Sequence, residues 1–176
     1  MSTKTQNTNS KRILYYAIGF TVAFALYIAS ILTPAGSCFS VETGSNSLGL
    51  SFSYTKDIVQ NFLESRTEEQ LLCYSQFLQI WDAIFAIIYT LMYASWIVYL
   101  FNKKSWLALI PVLGMVSDWS ENYVELLMIK AYLNAAPISD ELVSIGSGIN
   151  SFKWVLSSLT YLIILFGIII AIRNFF

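Results

Sequence analysis

Residues Ser117–Leu127, SDWSENYVELL, place Asp118, Glu121 and Glu125, with the amide of Asn122 beside them, inside a long apolar segment. Three acids where hydrocarbon is expected decide how the rest of the chain is read. A charge facing lipid at mid-depth costs a few kcal/mol or more, so such groups turn toward protein or water. Asp118, Glu121 and Glu125 recur at steps of three and four, with Gly114 four residues before them. On a helix that spacing puts them on one face.

The composition supports a lipid setting. The chain has 176 residues, of which 56% are hydrophobic and 12% charged. A soluble domain carries about 25% charged residues. The net charge of −1 gives no basic patch for nucleic acid. Histidine is absent, which removes the commonest metal ligand and general base. Two thiols, Cys38 and Cys73, cannot build a structural zinc site alone. No cofactor is indicated.

The periodicity predicts an all-α, four-transmembrane-helix bundle, one membrane domain over 13–176, with spans at about 13–33, 77–100, 106–133 and 150–172. Residues 1–12 are polar and expected to be disordered. The first run is expected to be a retained helix ended by Pro34 rather than a cleaved signal. A polar loop with Gly36, Gly44 and Gly49 follows. Within it YTKDIVQNFLES predicts a short extracytoplasmic helix capped by Thr55, with Ile58, Val59, Phe62 and Leu63 on its apolar face. It either lies on the membrane or caps the bundle. Thr67 and Gln70 fit a capping box opening the second span. Pro111 is expected to kink the start of the third, and Ser139 to cap the last.

Lys4, Lys11, Arg12, Lys103, Lys104 and Arg173 fall on one side of the four spans. That asymmetry predicts both termini in the cytoplasm and residence in the plasma (inner) membrane. Cys38 and Cys73 then share the outer side as a candidate disulfide. No internal repeat is evident, so an inverted-repeat transporter is not supported.

The other spans carry matching stripes. The second shows Ser75, Gln79, Asp82, Ala86, Tyr89 and Tyr93; the fourth Gly146, Asn150, Lys153, Ser157, Thr160 and Gly167; the first a weaker Tyr16, Gly19, Ala23 and Ser30. Packed together they form a polar interior of Asp82, Tyr89, Asp118, Glu121, Asn122, Glu125 and Lys153. Lys153 is expected to pair with Asp82 or Glu121, leaving acids in surplus. A buried acid without a partner takes up a proton or holds a cation. The alternative is that Asn122, Tyr89, Tyr123, Ser157 or water satisfies the acids and they only fix packing. Trp81, Trp119 and Trp154 flank the charges, but sequence neighbours on a helix point about 100° apart. These rings are expected to wedge between helices or reach lipid rather than cage an organic cation.

Asp82, Phe85 and Tyr89, then Asp118, Glu121 and Asn122, a lysine on the last span, and Phe52-Ser53-Tyr54-Thr55 resemble a pattern in a family of small uncharacterised bacterial four-helix integral membrane proteins. The likeness spans about Leu48 to Lys153; a proline expected after Phe85 is missing. The resemblance implies a topology and no activity.

Three functions remain open. One is an integral membrane protein whose carboxylate-rich interior binds a cation, proton or small polar or lipid ligand. Another is a non-catalytic subunit or assembly factor, as a homo-oligomer or in a larger membrane complex. The last is an intramembrane enzyme with paired carboxylates. It finds no nucleophile-base pair, phosphate loop or zinc motif to support it.

Overall fold

The computed structural model describes residues 2–42 and 47–173, in which helices joined by short loops make up the regular structure and there is no strand; the loop glycine Gly44 lies outside them. Five helices make the fold: α1 (2–39), α2 (Lys56–Glu64), α3 (Glu68–Leu100), α4 (Leu109–Leu133) and α5 (Asp140–Arg173). Segments 11–39, 68–100 and 140–173 are long and apolar enough to cross a membrane. With 25 residues, α4 has a similar reach, but Asp118, Glu121 and Glu125 interrupt its apolar sequence.

Boundaries differ from the periodicity in instructive places. Helix α1 begins at Ser2, so most of the polar stretch expected to be disordered is helical. Extending an existing helix adds a hydrogen bond per residue without a new nucleus, and Lys, Gln and Arg are good helix formers. Nor does Pro34 end the helix, which continues to Phe39. A π turn at Ile28–Leu32 precedes the proline, and this wider turn accommodates the missing N–H and the crowded carbonyl four residues back. Pro111 sits in the first turn of α4, where its absent N–H has no intrahelical partner to lose, so no kink need arise there. The segment before it, Asn102–Ala108, is a 3₁₀ stretch broken at Lys104.

Capping residues are well placed. Thr55 accepts from the Ile58 N–H at 3.4 Å, and Ser139 accepts from that of Leu142 at 3.1 Å. At Thr67 and Gln70 both bonds of the capping box form.

Helix α4 packs along α5, α1 lies on α3, and α3 also meets α4 and α5. At the end bearing the 40–67 loop, α2 closes the assembly. Its Val59, Phe62 and Leu63 join Leu71, Tyr74, Met128 and Val143 in an apolar core, so α2 caps the helices; Ile58, expected on the same face, is exposed. Arg66 is also buried there. Its Nε donates to the Phe39 carbonyl at 3.1 Å, Nη1 donates to that of Phe62 at 2.8 Å, and the guanidinium lies 3.6 Å over the Phe62 ring. Burial pulls its pKa down. A disulfide joins Cys38 at the end of α1 to Cys73 in α3.

The polar face of α4 is its buried face: Gly114, Asp118, Glu121 and Glu125 all point inward. Leu113, Val116, Trp119, Tyr123 and Leu127 point outward. Gly146 of α5 sits at a tight crossing, where an added Cβ would strike the Tyr54 hydroxyl and come within 2.9 Å of Val124 Cγ1. At Gly114 an added Cβ would only touch Leu156 at an ordinary 3.9 Å.

Two stability outcomes are expected. Gly146→Ala lowers the unfolding midpoint in detergent, by about 1–3 kcal/mol of overpacking less the smaller gain in helix propensity. Gly114→Ala is neutral or stabilising; equal effects at the two sites would contradict this helix crossing. Replacing Cys38 and Cys73 together by Ser releases a constraint across 35 residues and costs about 3 kcal/mol, read as a midpoint shift that reducing agent reproduces in the wild type.

Candidate functional site

Four acids and one base meet where α3, α4 and α5 converge. Glu121 and Glu125 are 0% and 1% exposed and Asp118 is 6% exposed. Lys153, reaching in from α5, forms an ion pair with Asp118 at 3.1 Å and a second with Glu121. Its Nζ also donates to the Gly49 carbonyl at 3.3 Å. An ammonium has three hydrogens, so these acceptors use all of them. Asp82 is not the lysine's partner, contrary to one expectation. It accepts instead from Asn122 Nδ2 at 2.8 Å. Glu125 accepts from the Tyr74 hydroxyl, which in turn lies 2.9 Å from Ser47 Oγ. Two of the four acids are thus matched by the lysine and two by neutral donors.

The 47–51 segment covers this cluster. Trp154 Nε1 donates to the Gly49 carbonyl at 3.1 Å, and Asn150 Nδ2 donates to the Ser51 carbonyl. Gly49 has little room for a side chain, since a Cβ there would lie 3.1 Å from Glu121 Oε1 and 3.2 Å from Lys153 Nζ. A close approach of backbone to a charged group is a characteristic use of glycine.

A π turn at Phe77–Asp82 explains a difference in α3. It inserts one residue into the helix, which rotates everything before it by about 100° relative to a regular helix. Gln79, expected inside, is therefore exposed, and Tyr74 is buried in its place. The looser turn also leaves carbonyls within reach of neighbouring side chains. The Tyr27 hydroxyl donates to Trp81 O at 2.8 Å, Asn122 Nδ2 to Leu78 O at 3.3 Å, and Trp119 Nε1 to Ala83 O at 3.2 Å. The weak stripe of α1 is not its contact face: Tyr16 is 62% exposed, and Phe24 and Tyr27 stack on Phe85 of α3 instead.

Beside the cluster lies a cavity of about 550 Å³. Asp82, Asp118, Asn122 and Lys153 give it a charged end. Phe24, Phe85, Tyr89, Tyr93 and Tyr161 line the remainder, with Phe39, Phe77 and Trp154 toward the loop. The Tyr93 and Tyr161 hydroxyls, 2.9 Å apart, link α3 to α5 in its wall. Of the seven polar residues singled out from the sequence, five reach the cavity; Glu121 and Glu125 stand behind it in the core. Among the flanking tryptophans Trp154 lines the cavity, whereas Trp119 is partly exposed. Tyr123, offered as a partner for the acids, faces outward.

Sequence reasoning missed Tyr74, Ser47, Gly49 and Tyr54. The Tyr54 hydroxyl is buried beside the acids without a hydrogen-bond partner among the described residues, and burial pushes its pKa up. Only Gly49 carried a legible signal, as a glycine in the first loop. Among the described residues no three Asp, Glu or Cys side chains are grouped to hold a metal ion.

No family model, curated protein or solved structure matches the chain.

Removing the lysine tests the ion cluster. Lys153→Met strands Asp118 and Glu121 and is expected to cost about 3–5 kcal/mol. Adding Glu121→Gln to that variant removes one stranded charge and should recover part of the loss in detergent unfolding. A double variant no more stable than the single would contradict the pairing.

Proposed function

We propose that this chain is a four-span integral membrane protein that binds an amphiphilic small molecule in the cavity between α1, α3 and α5. The observation that carries the reading is the shape of that cavity: one charged end on Asp82, Asp118, Asn122 and Lys153, and an aromatic body. Its volume, about 550 Å³, lies within the range of small-molecule sites, which are mostly apolar with a few convergent polar groups.

Helix α4 serves as the fourth span. Its acids face protein and its outward face is Leu113, Val116, Trp119, Tyr123 and Leu127, so the surface it offers lipid is apolar although its average composition is not. An even number of spans returns both termini to one side, and the distribution of Lys and Arg makes that side the cytoplasm. The Cys38–Cys73 disulfide then lies at the opposite, oxidising end. Helix α1 rests on α3 and makes no extended contact with α5. A molecule dissolved in the membrane reaches the cavity sideways, through the gap between α1 and α5.

The reading predicts that octyl-chain amphiphiles raise the unfolding temperature of the full-length protein in lipid nanodiscs. Ser157 lines the cavity, and Ser157→Trp, which fills it, should abolish that rise. If no octyl compound of any headgroup charge shifts the wild type, the cavity is not a ligand site.

A further inference from the structure

The cavity's chemistry also speaks to which amphiphile it takes, an inference that rests on the ligand-binding reading above. Three charged side chains line it: Asp82, Asp118 and Lys153. Lys153 is the only cation lining it among the described residues, and its three hydrogens are matched by Asp118, Glu121 and the Gly49 carbonyl. An anionic headgroup would find no ammonium hydrogen free and would meet two acids. Asp82 differs from the lysine. One of its oxygens accepts from Asn122, and the other accepts no hydrogen bond among the described residues. As a carboxylate, that oxygen accepts from a donor.

The remaining walls favour the same class. Phe24 and Phe85 stack at 5.5 Å on the α1 side, Phe85 meets Tyr89 edge-on at 5.4 Å, and Tyr93 meets Tyr161 edge-on at 5.4 Å. Rings around a carboxylate form the setting in which organic cations are held, because ring faces are electron-rich and the headgroup leaves water without losing electrostatic partners. Trp154, fixed by its bond to Gly49, sits at the charged end among them.

We propose that the cavity selects a monocationic amphiphile, its ammonium set against Asp82 and Asp118 and its apolar body lying between Phe24, Phe85, Tyr89 and Tyr161. The selectivity comes from two features together: a lysine saturated by its own protein and an aspartate with an oxygen left over.

Three probes sharing one chain separate this from simple filling of an apolar hole. Octylammonium, octanol and octanoate are titrated against the full-length protein in zwitterionic nanodiscs, with binding read from tryptophan fluorescence and Trp154→Phe as control for the reporting ring. Octylammonium is expected to bind at least about tenfold tighter than octanol, and octanoate most weakly. Asp82→Asn should reduce the amine-over-alcohol preference to about twofold or less while octanol binding persists. Equal binding of the three probes, or preference for octanoate, overturns the selectivity and leaves the ligand site standing. Binding of none removes both. An undiminished amine preference in Asp82→Asn would also overturn it, and should that variant fail to fold, the wild-type order of the three probes alone decides.

Discussion

Everything in this fold is arranged around one ammonium group. Lys153 holds Asp118 and Glu121 of α4 from the opposite side of α5, and through the Gly49 carbonyl it also holds the loop above them. Burying charges costs several kcal/mol per ion after relaxation, and only close pairing with further hydrogen bonds repays it. The lysine has such geometry, and the two acids it cannot reach have neutral donors in Asn122 and Tyr74. The acids fix the register of α4 against α3 and α5, because rotating α4 by one residue would carry carboxylates toward its apolar outer face.

The same network explains why a cavity remains beside it. Charged side chains drawn together by their mutual bonds do not fill space as aliphatic ones do, and α1 leans on α3 instead of closing over α5. The aromatic side chains that line the gap are stiff and large, and they contact one another edge-on or stacked. The 47–51 segment lies over the charged residues, held by Lys153, Trp154 and Asn150. What results is a pocket lined by charged and aromatic side chains.

Much of the secondary structure was legible residue by residue. Thr55, Thr67 with Gln70, and Ser139 marked three helix starts, since a side-chain oxygen near free N–H groups is a local signal. The spacing of Asp118, Glu121 and Glu125 correctly assigned one buried face. Less was legible where a helix departs from its regular period. The π turns at Ile28–Leu32 and Phe77–Asp82 left no trace in composition, and the second of them is why the wrong face of early α3 was assigned inward. Tyr74 was invisible for that reason. Ser47 and the partners of Gly49 were invisible for another: a loop residue's partner, dozens of positions away, is set by how the loop returns over the helices.

Alone, the sequence determined the helical, apolar character of the chain, with segments long enough to cross a membrane, and the need for its acids to point inward. Both follow from local period and from the cost of exposing charge to hydrocarbon, which depend on residue type and spacing alone. Only the tertiary structure decided that Lys153 takes Asp118 together with Glu121, that Asp82 falls to Asn122, and that an aromatic cavity opens at the charges. Those outcomes depend on the relative rotation of three helices, and a single inserted residue in one turn is enough to change it.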